Sequence, residues 1–316
     1  MENIKNIIIT GGSGLVGSAF QKIKNKYENI NFIFLDSKKA DLTDYKKSKN
    51  VFKSYEPCCV IHLAAYVGGL FKNINNNVEM YEKNMIINLN VLKICHELNI
   101  HKVICCLSTC VFPNNITYPI NETQLHLGSP HNSNIGYSYA KRMLEIHCSL
   151  YNNQYNRKYI CIIPTNIYGE HDNFSISDGH VIPALIHKCF LSKKNNKDFV
   201  VFGTGKPLRQ FIYSLDLARL IMLILKNYED THPIILSTNE NDEVSIKYIS
   251  EKIHKIMNNK NKIVFDESFS DGQYKKTVDN SKLKELFKDF KFTDINIGLT
   301  NTIMWFKKNY PNNIRI

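Results

Sequence analysis

The chain contains no long apolar run, and its start leaves little room for an export signal. Its 316 residues are of ordinary hydrophobicity, and no apolar stretch approaches the roughly 20 residues of a transmembrane helix. The chain opens with a short polar stretch and passes directly into a predicted strand, so we expect no signal peptide. These features favour a globular, cytoplasmic protein that neither spans nor binds a membrane.

The cysteines also lack the spacing of a disulfide framework or a metal site. Their number, nine, is odd, and Cys58-Cys59 and Cys105-Cys106 are adjacent instead of being separated as in C-x-x-C. In a chain without an export signal, such residues are expected to be reduced and mostly buried thiols. We therefore predict no metal site.

Positive charge is plentiful but is not organised for nucleic acid. The net charge is +11, yet the lysines are dispersed and mixed with asparagine, and no aromatic-interleaved basic stripe or recognition helix stands out. We expect no nucleic-acid partner. An excess of positive charge does favour small polyanions, such as phosphorylated cofactors and substrates.

The first half of the chain alternates short apolar strands with helices, which predicts a parallel sheet. The predicted strands are 6–10, 31–35, 59–63, 103–107 and 159–164, and the predicted helices are 14–26, 46–55, 78–98 and 137–154. Right-handed crossovers give an α/β, Rossmann-type doubly wound sheet that binds its ligand at the carboxyl ends of the strands. We assign residues 1–168 and about 211–238 to this domain, and 169–210 and 239–316 to a smaller α/β substrate-binding domain.

A glycine-rich turn follows the first predicted strand. In Ile7-Ile-Ile-Thr-Gly-Gly-Ser-Gly-Leu-Val-Gly17, the glycines permit a tight turn and a close approach of the backbone to a pyrophosphate. The helix that begins there offers free N–H groups to the anion. Its position after an apolar strand predicts a dinucleotide-binding loop.

The residues leave the choice of nicotinamide cofactor open. Asp36 ends the second predicted strand, where an acid hydrogen-bonds the ribose hydroxyls of NADH and repels a 2′-phosphate. Lys38 and Lys39 follow at once and favour the 2′-phosphate of NADPH. Asp41 is a candidate contact to the adenine, and the strand end at His62-Leu-Ala-Ala65 is expected to line the cofactor.

Tyr137 and Lys141 lie four residues apart on a predicted helix, and therefore on one face of it. An ammonium beside a phenol favours the phenolate, so we expect the pKa of Tyr137 to be lowered towards the range of acid–base catalysis. Ser108, at the end of the predicted strand 103–107, supplies a hydroxyl to the same site. A nucleotide loop, a strand-end serine and Tyr-x-x-x-Lys in this order predict hydride transfer.

Three further residues have two interpretations each. Cys110 is either a catalytic base or another buried thiol, and His180 is either an acid or an ordinary loop histidine. Arg209 is either a clamp for a diphosphate or half of a surface ion pair. Spacing alone decides none of them.

Seven segments together resemble the GDP-L-fucose synthase family, whose members are bifunctional 3,5-epimerase/4-reductases of the extended short-chain dehydrogenase/reductase type. The segments are the glycine loop at 11–17, His62-Leu-Ala-Ala-Tyr-Val-Gly-Gly-Leu-Phe71, Leu107-Ser-Thr-Cys-Val-Phe-Pro113, the stretch 130–141, Pro164-Thr-Asn-Ile-Tyr-Gly169, Asp178-Gly-His-Val-Ile-Pro183 and Arg209-Gln-Phe-Ile-Tyr-Ser214. The likeness extends to the cap segment 270–276. Ser-x-Cys combined with Asp-Gly-His is its most specific part.

The resemblance implies a role for each residue that falls on the family's pattern. The implied catalytic residues are Ser108, Tyr137 and Lys141 for reduction, and Cys110 and His180 as base and acid of two epimerisations. Taken together, the motifs above and the resemblance give as candidate cofactor-binding residues Gly11, Gly12, Ser13, Gly14, Leu15, Val16, Gly17, Lys38, Asp41, Leu63, Ala64, Lys141, Pro164, Thr165, Asn166, Ile167 and His180. The implied substrate contacts are Lys188, Phe202, Arg209 and Asp271.

The resemblance further implies NADPH as cofactor, a GDP-linked 4-keto-6-deoxy sugar as substrate, and a homodimer formed through helices 78–98 and 137–154. Two positions depart from the family pattern. Phe202 stands where relatives are expected to carry tryptophan, and Asp36 stands where they usually lack an acid, which keeps NADH as an alternative. Another nucleotide-sugar epimerase, reductase or dehydratase on the same scaffold would leave Cys110 and His180 unused. A cofactor-binding sensor without activity would have no need of the three aligned proton-handling groups Ser108, Tyr137 and Lys141.

Overall fold

A computed structural model describes residues 5–316, so the first four residues of the predicted nucleotide-binding domain lie outside the described residues. The strands are β1 (Asn6–Thr10), β2 (Asn31–Leu35), β3 (Cys59–His62), β4 (Lys102–Cys106), β5 (Lys158–Pro164), β6 (Asn166–Tyr168), β7 (Phe199–Phe202), β8 (Leu208–Arg209), β9 (Phe211–Tyr213), β10 (Ile234–Leu236), β11 (Val244–Ser245) and β12 (Ile263–Asp266). The α-helices are α1 (Leu15–Ile23), α2 (Tyr45–Ser54), α3 (Leu70–Asn75), α4 (Asn77–Glu97), α5 (Ile135–Tyr155), α6 (Val181–Asn195), α7 (Ser214–Asn227), α8 (Ile246–Ile256), α9 (Ser281–Leu286) and α10 (Ile295–Asn309).

Six of the strands form one parallel sheet in the order β10-β5-β4-β3-β1-β2. The chain runs outward from β1 to β2, then returns to place β3 on the other side of β1. The strand order therefore reverses at β1, and a crevice opens at the carboxyl end of β1, where such sheets bind ligands. This confirms the predicted doubly wound sheet.

Side-chain alternation along the strands builds a core on each face of this sheet. Ile7 and Ile9 join the core beneath α1 and α7, whereas Ile8 joins the core beneath α2, α4 and α5. All three are fully buried, and each contributes roughly 1.5–3 kcal/mol by leaving water. Burial on both faces explains why these strands are continuous apolar runs in the sequence.

A third core lies outside the large sheet, in the region predicted to bind the substrate. It joins α6, α8 and α10 to the parallel pair β7–β12, in which Phe199 is aligned with Ile263. Two more short pairs, β6–β9 and β8–β11, connect this region to the end of β5. The sequence did not predict these short strands, because their partners are distant along the chain.

No helix within residues 5–316 is long and apolar enough to cross a membrane.

Candidate active site

Two adjoining cavities open at the carboxyl ends of the parallel strands. The larger, about 560 Å³, is bounded by the glycine-rich loop and the ends of β2, β3 and β4. The smaller, about 360 Å³, lies between the end of β4 and the third core. Ser108, Tyr137 and His180 line both cavities. Ligands in the two cavities would therefore meet at these three side chains.

The glycine loop forms a cradle that side chains would fill. Gly11 has a φ of +69°, and a Cβ there would lie 2.9 Å from the amide nitrogen of Ala64. A Cβ at Gly17 would lie 2.4 Å from the carbonyl oxygen of Gly11. Because α1 begins directly behind this loop, its first N–H groups face the larger cavity, as in sites that hold a pyrophosphate. The loop fits a dinucleotide.

Most of the predicted cofactor-binding residues line the larger cavity, namely Gly11, Ser13, Gly14, Leu15, Val16, Gly17, Asp41, Leu63, Ala64, Lys141, Pro164, Thr165, Asn166, Ile167 and His180. Gly12 instead lies behind the loop, where its N–H donates to the carbonyl of Leu35 at 2.8 Å. Lys38 is exposed at the rim, outside the cavity wall.

Asp36 lies in the cavity wall and caps its own turn. Its Oδ1 accepts hydrogen bonds from the backbone N–H groups of Lys38 at 3.1 Å and Lys39 at 2.9 Å. The side chain of Lys39 turns back to the carbonyl of Phe34 at 3.2 Å, which leaves Lys38 as the lysine free to face a 2′-phosphate. One carboxylate oxygen of Asp36 is thus held in the turn.

A buried hydrogen-bond chain fixes the strand ends beneath the cofactor cavity. Thr10 Oγ1 accepts from the N–H groups of Leu63 and Ala64, both at 3.2 Å, so its own proton goes to His62 Nδ1 at 2.8 Å. His62 Nε2–H then donates to Asn88 Oδ1 at 3.1 Å, and the Asn88 amide donates to the carbonyl of residue 140 in α5. Burial, aided by the Lys141 charge, lowers the pKa of His62 to about 3 and keeps it neutral.

Lys141 is held in place by the sheet. It is only 1% exposed, and its Nζ donates to the carbonyl of Cys106, the last residue of β4, at 2.7 Å. Its Nζ lies 5.8 Å from the centre of the Tyr137 ring. The start of α5 packs closely against α4 because residue 136 is glycine. A Cβ there would lie only 2.1 Å from the carbonyl oxygen of Asn77.

The pKa of Tyr137 is raised well above its ordinary value of 10, in the direction opposite to the sequence-based expectation. Burial is the largest cause, followed by negative charge at Cys110 and Cys106. Burial also lowers the pKa of Lys141. Desolvation of the phenolate therefore favours the protonated, neutral form of Tyr137.

Ser108 and Cys110 occupy one short turn after β4. Ser108 Oγ accepts a hydrogen bond from the Cys110 N–H at 3.4 Å and caps the 3₁₀ turn Thr109–Val111. Arg142 fastens this turn to α5 by donating from Nε to the Val111 carbonyl at 2.6 Å. Cys110 lines the smaller cavity and is 7% exposed. The hydroxyl and the thiol are therefore next to one substrate-sized space.

His180 is presented differently. It precedes α6 as its N-cap, and its exposed side chain is aimed at the junction of the two cavities. The loop that carries it is tied down by Gly69, whose N–H donates to the carbonyl of Asp178 at 2.8 Å. The structure thus brings His180 to the same space as Cys110 from a separate element.

The four predicted substrate contacts all line the smaller cavity. Phe202 stacks on Phe269 with ring centres 3.9 Å apart, and Lys188 Nζ lies 2.9 Å from the centre of the Phe202 ring. Burial lowers the pKa of Lys188 to about 8. The Phe202 ring, backed by Phe269, therefore takes the place in the cavity wall where a tryptophan was expected.

Arg209 and Asp271 are anchored by the loops around them. Arg209 Nη2 donates to the carbonyl of Gln273 at 2.6 Å, and burial lowers the pKa of the guanidinium. Asp271 accepts from the N–H of Thr204 at 2.7 Å and from its hydroxyl at 2.6 Å. Asp271 thus shapes the loop at Gly203, where an added Cβ would lie 2.3 Å from its Oδ1.

Lys276 is a charged residue of the smaller cavity that the spacing arguments missed. Burial lowers its pKa, and the charge of Arg209 lowers it further, while a negative charge at Cys110 raises it. The lysine doublet at 275–276 resembles the other lysine doublets of this chain, so the sequence did not indicate that Lys276 lines a cavity. Only the fold places this ammonium beside the thiol.

Comparison with known proteins gives consistent results. Residues 7–237 match the NAD dependent epimerase/dehydratase family. A GDP-L-fucose synthase of Dictyostelium discoideum is 49% identical over 97% of this chain and 96% of its own. A probable GDP-L-fucose synthase of Drosophila melanogaster is 45% identical over 97% of this chain and 98% of its own. The crystal structure of a GDP-L-fucose synthetase from Naegleria fowleri bound to NADP superposes with a TM-score of 0.94 at 44% identity, covering 100% of this chain and 96% of that one.

Proposed function

The chain belongs to the NAD dependent epimerase/dehydratase family and, within it, to the GDP-L-fucose synthases, and we propose that it converts GDP-4-keto-6-deoxy-D-mannose to GDP-L-fucose with NADPH. One observation carries the proposal. Ser108, Tyr137 and His180 line both cavities, and Cys110 lies on the substrate side. Epimerisation and reduction therefore have their groups around one space.

The epimerase steps follow from the acidity of a ketosugar. The 4-keto group acidifies the hydrogens on C3 and C5, and the Cys110 thiolate removes one of them. The C–H electrons move into an enolate, whose oxygen accepts hydrogen bonds from Ser108 and Tyr137. His180 returns a proton to the opposite face of the carbon, which inverts it. The same pair then acts on the second carbon.

The reductase step uses groups that are already in place. NADPH supplies the hydride for C4 when it is bound in the larger cavity. Tyr137 gives its proton to the C4 oxygen, which becomes the hydroxyl of the product. Lys141 holds the nicotinamide ribose and stabilises the tyrosinate that remains. A neutral Tyr137, as its raised pKa indicates, is in the correct form for this donation.

Product identification tests the proposal. Purified protein is incubated with GDP-4-keto-6-deoxy-D-mannose and NADPH, and the sugar nucleotide is identified by NMR. GDP-L-fucose with stoichiometric NADPH oxidation is expected. A reduced but unepimerised sugar would indicate another reductase of the family, and unchanged keto sugar and cofactor would contradict any such activity.

We infer a cytoplasmic location, because all nine cysteines are free thiols of the kind that a reducing compartment maintains. The division into a nucleotide domain (5–168 and 211–238) and a substrate domain (169–210 and 239–316) belongs to the same proposal. It is supported by the third core, which gives the substrate side its own apolar centre.

We further propose a homodimer through α4 and α5. Among the apolar residues of α4, Val91 and Leu92 are in the core and Ile87 packs against it, while Ile86 and Leu89 are exposed. Exposed apolar residues continue along both helices, at Val78, Tyr81, Met143, Ile146 and Leu150. A patch of this extent favours a second copy of the chain, since two such helix pairs cover each other.

Light scattering at micromolar concentration tests this interface. Leu150→Glu, at a side chain that is 58% exposed on α5, is expected to shift the mass from dimer to monomer. Met304→Glu, at a side chain that is 64% exposed on α10, is the matched control and is expected to remain dimeric. A monomeric mass for the unaltered chain would overturn the assignment.

A further inference from the structure

Asp172 is a buried carboxylate with an unsatisfied oxygen at the edge of the active site. It is 4% exposed, and its Oδ1 accepts a hydrogen bond from the N–H of Asn173 at 2.7 Å. Its Oδ2 is buried without a hydrogen-bond partner, although the residue lines the larger cavity together with His180. An unpaired buried carboxylate costs free energy, so its retention calls for an explanation.

The fold brings the His180 loop directly onto the turn that carries Asp172. The N–H of Gly179 donates to the carbonyl of Ser175 at 2.9 Å. A Cβ at Gly179 would lie only 2.4 Å from the carbonyl oxygen of Asn173, so only glycine allows the two segments to approach this closely. His180, the next residue, lines the larger cavity together with Asp172.

The C-terminal segment closes the other side of the same turn. The N–H of Phe174 donates to the carbonyl of Arg315 at 2.7 Å, and the Arg315 guanidinium donates to the carbonyl of His171. Arg315 also lines the larger cavity. Burial raises the pKa of Asp172, while the charges of His180 and Arg315 act in the opposite direction. Positive charge on these two neighbours, together with the Asn173 N–H, would favour the carboxylate at a place where burial disfavours it.

On the basis of the proposed function, we propose that Asp172 is the positioning residue of His180, with its free Oδ2 accepting a hydrogen bond from the imidazole. Within residues 5–316, Asp172 Oδ2 has no hydrogen-bond partner, so the proposed bond requires the imidazole to turn towards Asp172 within the larger cavity that both residues line. A carboxylate in this role fixes the ring orientation and stabilises the imidazolium, as in other histidine–carboxylate pairs.

Proton balance explains why an enzyme with two epimerisations benefits from such a partner. Each inversion leaves Cys110 protonated and His180 neutral, so the second inversion requires a proton to leave the thiol and another to reach the imidazole. A carboxylate beside His180 favours recharging of the imidazole in both rounds. Asp172 acts through His180 and does not touch the sugar.

Asp172→Asn tests the proposal, because it keeps the shape of the side chain and removes the charge. Deuterium incorporation from D₂O at C3 and C5 is expected to fall at least tenfold, whereas the Kd for NADP⁺ and the melting temperature stay near those of the unaltered protein. Asp198→Asn, at an exposed carboxylate after α6, is the charge-matched control and is expected to change exchange less than twofold. Should Asp172→Asn not fold, Asp172→Ser, which keeps a side-chain oxygen for the Asn173 N–H, gives the same measurement.

The double variant separates positioning from a general structural effect. If Asp172 acts through His180, Asp172→Asn combined with His180→Asn exchanges no more slowly than His180→Asn alone. Additive losses, or wild-type exchange in Asp172→Asn, overturn the inference while leaving the proposed function intact. Wild-type exchange in His180→Asn would instead remove the acid on which the proposed function rests.

Discussion

The reductase and epimerase groups face the same space but are supported in different ways. Lys141 is buried in a long helix and hydrogen-bonded to a strand carbonyl, and Tyr137 lies one turn away on that helix. Cys110 is in a short turn, and His180 is exposed at the end of a loop. Tyr137 and Lys141, the proposed reductase pair, therefore share one packed helix, whereas the proposed epimerase base and acid come from two separate elements.

This difference indicates how the two chemistries are divided. Hydride transfer requires fixed geometry between a cofactor and one carbon, which a helix on a sheet provides. Proton exchange at two carbons requires a base and an acid on opposite faces of the sugar, which two separate elements can supply. Substitution of Tyr137 or Lys141 should therefore abolish reduction and leave proton exchange measurable.

The largest effect is expected for Tyr137→Phe. NADPH oxidation should fall by roughly 10² or more, the range typical of losing a general acid. Deuterium exchange at C3 and C5 should persist in part, because Cys110 and His180 are unchanged and Ser108 still stabilises the enolate. Both quantities are measured in one D₂O reaction, and equal losses of the two would contradict the division.

Cys110→Ser is expected to have the opposite signature. A serine hydroxyl is far less acidic than a thiol, so exchange should fall at least tenfold while NADP⁺ affinity is retained. The variant should reduce the keto sugar without epimerising it, or stall. Cys58→Ser, at a half-buried thiol outside both cavities, is the matched control. Undiminished exchange in Cys110→Ser would show that this thiol is only a core residue.

A smaller effect is expected at the edge of the larger cavity, where Asp36 lies. Asp36→Ser removes a negative charge near the 2′-phosphate site and retains an oxygen that can accept the turn N–H bonds now made by Asp36. The ratio of kcat/KM for NADPH to that for NADH, which we expect to favour NADPH already, should rise severalfold. An unchanged ratio would place the second carboxylate oxygen away from the ribose.

The smallest effect concerns the stability of the protein at low pH, through His62 beneath the larger cavity. The pKa of His62 falls from an ordinary 6.5 to about 3 on folding, so the unfolded chain binds more protons between these values. The neutral buried His62 thus contributes stability above pH 6.5 that is lost as the pH falls towards 3. His62→Gln, which keeps a donor and an acceptor, should flatten the dependence of the melting temperature on pH in this window, and an unchanged slope would contradict the assignment.

The sequence predicted the large sheet well and the details of the site less well. Apolar runs located β1 and β2 because both faces of the sheet are buried, and a four-residue step placed Tyr137 beside Lys141. The sign of the Tyr137 pKa shift was wrong, since burial depends on tertiary packing. Lys276 and Asp172 were missed for the same reason, because their surroundings come from segments distant in the chain.

The residues shared by the two cavities also bear on whether the keto sugar leaves the enzyme between reactions. Ketosugar intermediates are prone to enolise and decompose once in water. Ser108, Tyr137 and His180 line both cavities, so a sugar bound in the smaller cavity would have the proposed groups for inversion and reduction around it at once. The proposed reactions could then follow one another without release of the keto sugar into water.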